Sequence, residues 1–125
     1  MQEVSLLISY AQNFEDVILA RVFNDKPQGF YIDAGAAHPF FHSVTAHFYE
    51  KGWRGINVEP LPVFFAELES ARTEDVNLNV ALGDNTGTQI IYEIKNNIGM
   101  STLSASLIRQ YIADSMGFDV IERVV

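Results

Sequence analysis

Apolar and polar positions along this chain follow two periods, and the change from one to the other marks its central unit. Phe30, Tyr31 and Ile32 form a short apolar run that stops at Asp33, and Gly35, Ala36 and Ala37 follow with backbone almost bare of side chain. A run of that kind predicts a buried strand feeding a tight turn. From Ser43 the spacing becomes helical. Ser43 is the expected N-cap, Val44 and Phe48 the apolar face and Gly52 the stop, while Trp53 and Arg54 lead into a second apolar run, Gly55 to Val58, that ends on Glu59. The resulting βαβ unit places its ligand crevice beyond the strand ends. A helix starting after the turn would aim free backbone N–H groups and its positive dipole end at that turn.

The flanking segments extend the same alternation. Met1 to Ile8 reads as a strand or a lead-in. From Asn13 to Phe23, Phe14, Val17, Ile18 and Val22 recur at helical spacing, with Glu15 and Asp16 in the first turn where the helix dipole favours acids. A substrate contact for Gln12, Glu15 or Asp16 competes there with ordinary capping. Pro27 and Gly29 mark a loop. Beyond the βαβ unit, Pro62 suits a helix's first position, Phe64, Phe65, Leu68 and Ala71 share a face, and Arg72 closes the C-terminal end as a favoured cation. Val76 to Leu82 reads as a third strand and Gln89 to Ile94 as a fourth, joined through Gly83-Asp84-Asn85-Thr86-Gly87 as an antiparallel hairpin. Leu107, Ile108, Tyr111 and Ile112 predict an amphipathic helix stopped by Gly117, and Val120, Ile121, Val124 and Val125 a final strand.

Composition narrows the class. The 125 residues are 48% hydrophobic and 12% aromatic, enough to supply one core. Sixteen acids against eight Lys and Arg give a net charge of −8, with no basic cluster, which argues against nucleic acid or an anionic membrane as partner. The absence of cysteine removes disulfides, thiolate metal sites and a thiol nucleophile. The opening MQEVSLLISY has an acid and only a short apolar run, neither a signal peptide nor a membrane span, so cytoplasm is the expected location.

The turn chemistry narrows the ligand. Gly35 is followed by Ala37, His38 and Pro39, so the G-x-G-x-x-G dinucleotide fingerprint is incomplete, and no Gly-Lys-Ser/Thr sequence occurs. What remains is an acid, a glycine and a later acid. Asp33 would pair a cationic amino group and Glu59 would hold a ribose diol, a combination that suits S-adenosylmethionine. His38, His42 and His47 lack metal-ligand spacing, and no metal site is expected. His38, on the turn itself, is a candidate to polarise or deprotonate a substrate hydroxyl, against the plainer reading that His38-Pro39 shapes the loop.

DAGAAHP from Asp33, Ser43-Val44-Thr45 and FYEKGWRGINVEP from Phe48 to Pro60 resemble the FkbM-type methyltransferases. SYAQNFEDVIL from Ser9, Asn79-Val80-Ala81-Leu82-Gly83-Asp84 and Ser101-Thr102-Leu103 are similar to that family as well, so the resemblance spans nearly the whole chain. It implies an α/β, Rossmann-like class I methyltransferase fold, here cut short after the first three core strands plus a hairpin, with residues 1–125 as one N-terminal, cofactor-binding portion and no second domain. It further implies S-adenosylmethionine-dependent O-methylation of a sugar, lipid or other small metabolite, with Asp33, Gly35, Ala36, Ala37 and Glu59 at the cofactor. Asp84, at the end of the third strand, would accept from the adenine amino group. The family's Asp-x-Glu-Gly-x-Glu-like motif has no counterpart here. An open half-sheet would favour self-association. A non-catalytic cofactor-binding or interaction module and an NAD(P)-linked enzyme are the alternatives.

Overall fold

The computed structural model describes residues 6–125, so the expected strand or lead-in at Met1 to Ile8 lies mostly outside the described residues. The chain divides into two compact units, Met1–Asn79 and Val80–Val125.

The first unit runs α1 (Glu15–Val22), β1 (Phe30–Ala34), α2 (Ala46–Glu50), β2 (Arg54–Val58), α3 (Pro62–Ala71) and β3 (Val76–Leu78). Its strands form a parallel sheet in the order β1-β2-β3. β1 and β2 run in register from Phe30 opposite Arg54 to Ala34 opposite Val58, so Asp33 and Glu59 emerge at the same end of the sheet. The N-cap of α2 is Thr45 rather than the expected Ser43, which lies two residues further out and whose Oγ instead accepts from the Ala46 N–H at 3.1 Å, and Gly52 with φ 97° ends the helical run. Pro62 opens α3 as its φ favours.

Asp16 explains how the segment before α1 is fastened. The side chain is fully buried and accepts from Ser9 Oγ at 2.7 Å, from the Tyr10 and Ala11 N–H groups at 2.7 and 3.2 Å, and from its neighbour Val17 N–H at 2.9 Å. Ala20 of α1 then packs with Phe48 and Trp53, while Tyr31 reaches the same cluster from the sheet.

The two faces of the sheet differ in an unusual sense. The alternation of β1 and β2 puts Tyr31, Asp33, Gly55 and Asn57 on one side, where Thr45, Arg72 and Asp75 hydrogen-bond to them. Phe30, Ile32, Ile56, Val76 and Leu78 alternate onto the other, where Phe30 and Ile32 stay 63% and 66% exposed. The polar side is the covered one.

The second unit holds β4 (Ile90–Ile94), a 3-10 turn at Ile98–Met100, α4 (Ala105–Ala113) and β5 (Val120–Val124). Here the structure corrects the expected hairpin. β3 ends at Leu78 and pairs with β2, whereas β4 pairs antiparallel with β5 across the intervening helix. The strand stops early because Asn79 turns its amide to the carbonyl oxygens of Glu59 and Pro60, at 2.9 and 3.0 Å. β4 instead finds apolar company within its own unit, where Ile91, Ile94 and Ile108 are buried, and an Arg123–Glu93 ion pair ties its partner strand diagonally. Ser104 caps α4 by accepting from the Leu107 N–H at 3.2 Å.

Candidate functional site

At the carboxyl ends of β1 and β2 a turn is held between two carboxylates. Gly35 sits at φ 70°, a backbone region that glycine enters without strain, and a Cβ built there would meet nothing within 4 Å. The space above the turn is therefore open. Its backbone donors, however, are already used: the Gly35 and Ala36 N–H groups both donate to the Val58 carbonyl, at 2.8 and 3.1 Å, and the Ala37 N–H donates to Glu59 Oε2 at 2.8 Å. The helix after it begins only at Ala46, and its Ala46 N–H is engaged by Ser43. A turn whose Gly35, Ala36 and Ala37 N–H groups are engaged suits a ligand that donates hydrogen bonds or carries positive charge better than a phosphate.

Two acceptors are placed for such a ligand. Asp33 is half-buried; its Oδ2 accepts from the Thr45 hydroxyl at 2.7 Å, and Oδ1 has no hydrogen bond among the described residues. Glu59 is 4% exposed and divides its carboxylate between two backbone donors, Ala37 at Oε2 and Leu61 at Oε1, each at 2.8 Å. Each oxygen retains a second lone pair. Burial pushes the Glu59 carboxyl above its ordinary value against the pull of those two N–H groups, and the nearby Asp33 charge pushes in the same direction. The structure thus brings Asp33, Gly35, Ala36, Ala37 and Glu59 together. Asp84 lies in the second unit, in an exposed turn where Asn85 Nδ2 donates to it at 2.9 Å.

His38 is engaged in shaping the loop. Its Nδ1 accepts from the N–H groups of Phe40 and Phe41, at 3.0 and 2.8 Å, which places the proton of the neutral ring on Nε2. Nε2 faces Glu67 at 3.7 Å. Taking a proton from a substrate at Nε2 would require the ring to give up both loop bonds. His42 stacks on Phe41 with centroids 3.9 Å apart, and His47 is buried against Phe48, where burial and then Lys51 hold it below the ordinary histidine range. Among the described residues no group of three or more His, Asp or Glu gathers as a metal site.

Arg72 closes α3 as the helix-end cation read from the sequence, and its side chain is fully buried behind the turn. Its Nη2 donates to the Pro39 carbonyl at 2.6 Å and to Ser43 Oγ at 3.1 Å; its Nη1 reaches Tyr31 Oη at 3.1 Å and Thr45 Oγ1 at 3.4 Å, with Asp75 at 3.6 Å. Asp75 also accepts from Tyr31, the Gly55 N–H and Asn57. Burial and the bond to Asp75 push the Tyr31 phenol well up, so it remains a donor.

The family comparison bears directly on this turn. A family model described as "Methyltransferase FkbM domain" matches residues 33–118. The chain belongs to the FkbM methyltransferase family. No curated protein and no solved structure matches it. In this FkbM-family chain the match opens on Asp33 and takes in the turn, Glu59, Arg72 and Asp84. A mixed α/β structure with a parallel three-stranded sheet agrees with a methyltransferase-like fold. Membership makes methyl transfer the class of chemistry and implies S-adenosylmethionine as the methyl source. Among the described residues no helix is long and apolar enough to cross a membrane.

Proposed function

We propose that the first unit is the cofactor-binding portion of a cytoplasmic, S-adenosylmethionine-dependent methyltransferase with a Rossmann-like core, acting on a hydroxyl of a sugar, lipid or other small metabolite. One observation carries this reading: two carboxylates flank a glycine turn that has open space at Gly35 and whose Gly35, Ala36 and Ala37 N–H groups are already engaged. The acceptor set fits the cofactor on its own chemistry. Asp33 Oδ1 would take the cationic amino group, the remaining lone pairs of Glu59 would accept from the ribose hydroxyls, and Gly35 would allow close approach to the main chain.

Bound there, the cofactor would supply an electrophilic methyl group on a sulfonium, with the neutral thioether S-adenosylhomocysteine as leaving group and the acceptor's hydroxyl proton passing to a base, so no covalent enzyme intermediate is needed. The task of these residues is therefore to fix position, since alignment of nucleophile and methyl supplies much of the acceleration in such a displacement. The fixed Ala37–Glu59 and Asp33–Thr45 bonds serve that end. With His38 Nδ1 committed to the loop, His38 acts as a turn cap in this account and the base for the acceptor hydroxyl comes from another group. The first unit holds the cofactor site in this reading, and the bare apolar side of β1 is where a second copy would pair.

Replacing Glu59 with Ala should weaken binding of S-adenosylhomocysteine by about 1 to 3 kcal/mol, the scale of a lost hydrogen bond to a charged group. Calorimetric titration of a variant shown by circular dichroism to be folded measures this. Unchanged affinity would remove Glu59 from the site.

A further inference from the structure

The turn carries two strained residues besides its glycine. Ala37 and His42, neither of them glycine, adopt φ 53° and 59°. L-residues enter this left-handed region at a cost, and such strain persists only where surrounding bonds overdetermine it. The bonds that do so converge from three sides. Glu59 holds Ala37, His38 holds Phe40 and Phe41, and Arg72 holds the carbonyl of Pro39 and the hydroxyl of Ser43. Only Arg72 also touches the side chain that orients Asp33. Its Nη1 lies 3.4 Å from Thr45 Oγ1, and Thr45 in turn donates its proton to Asp33 Oδ2 at 2.7 Å. The guanidinium is purely a donor, so the Thr45 oxygen can only accept from it; of the two acceptors left for the single Thr45 proton, Asp33 Oδ2 at 2.7 Å is much closer than Ser43 Oγ at 3.5 Å. Oδ2 is tied back toward the helices and Oδ1 remains as the free acceptor.

Resting on the cofactor reading above, we propose that Arg72 is a positioning residue for the cofactor site: through Thr45 it directs the Asp33 carboxylate, and through Pro39 and Ser43 it holds the strained turn in its binding geometry. No other side chain among the described residues combines these contacts, and a lysine there would have one ammonium for donors that the fork of Arg72 spreads over four oxygen partners.

The test is a set of variants titrated calorimetrically with S-adenosylhomocysteine, each checked for folding by thermal unfolding. Thr45→Val preserves shape and removes the hydroxyl; it should bind about tenfold more weakly, the scale of a bond worth about 1.4 kcal/mol. Thr45→Ser restores the proton and should bind within about twofold of the wild type, a rescue that a packing role for the threonine methyl would not give. Arg72→Lys retains the charge beside Asp75 and should match Thr45→Val in affinity, while amide exchange at Ser43, whose N–H donates to the Phe40 carbonyl at 3.1 Å, should quicken. If Thr45→Val does not fold, the Arg72→Lys pair of readings decides alone. Wild-type affinity in Thr45→Val or Arg72→Lys, or equal loss in Thr45→Ser and Thr45→Val, overturns the positioning role and leaves the cofactor reading standing. A folded wild type that does not bind at all overturns both.

Discussion

At Gly55 the sheet leaves no room for a side chain: a Cβ there would run into both the ring and the backbone oxygen of Tyr31. The backbone conformation is not what demands glycine; the close approach is. Gly55→Ala should therefore destabilise the chain by about 1 to 3 kcal/mol, the usual cost of overpacking, measured by urea unfolding. A variant as stable as the wild type would mean that β1 and β2 can separate freely. Glu59 makes a second prediction at this scale. With its folded-state pKa raised above the ordinary 4.5, the folded chain holds more protons at this site than the unfolded one between the two values. Its contribution to stability is full below the ordinary value and is lost as pH rises through the raised one. Glu59→Gln, which cannot titrate, should remove that part of the slope when stability is followed across the acid range. Parallel profiles for the two proteins would show that the carboxyl is not shifted.

Among the elements, α1 depends on what Asp16 gathers. Burial pushes this carboxyl up, but the bonds from Ser9, Tyr10, Ala11 and Val17 together outweigh it and hold the group below its ordinary 3.8. Its contribution is thus present above the ordinary value and lost as pH falls through the depressed one. Asp16→Asn, which keeps one acceptor oxygen and adds an amide facing backbone donors, should cost about 1 to 3 kcal/mol near neutral pH, and the gap should narrow in acid. A gap that is constant with pH would contradict this account. The sequence showed Asp16 as a first-turn acid, but capping and ligand contact remained open because Ser9, Tyr10 and Ala11 precede the helix in a segment whose return to it no periodicity marks. β1, α2, β2 and α3 were legible, since their punctuation by Gly35, Ser43, Gly52 and Pro62 is local chemistry. The partner of β4 was not. Turn residues at Gly83 to Gly87 suggest a hairpin, yet pairing is chosen by packing around Ile91, Ile94 and Ile108, which spacing along the chain does not encode.

For the whole molecule, the first unit covers the polar side of its sheet and leaves Phe30 and Ile32 bare on the apolar side of β1. A parallel sheet is ordinarily covered on both faces, and an exposed apolar stripe beside a free strand edge promotes association. That is why the proposed reading pairs β1 with a second copy. The site itself was half legible. Asp33, the small-residue turn and Glu59 stand out as punctuation at strand ends, whereas the consumed N–H groups and the inward Arg72 required the fold, because each partner lies many positions away in the chain. From that fold comes the central claim that a donor-poor turn between two carboxylates receives a sulfonium cofactor and refuses a pyrophosphate. The most direct test is calorimetric titration of the 125-residue chain with S-adenosylhomocysteine and, separately, with NAD, on a sample whose size and folding are measured in the same buffer. The account predicts saturable, one-site binding of S-adenosylhomocysteine and none of NAD. A folded sample that binds NAD, or that binds neither, would contradict it.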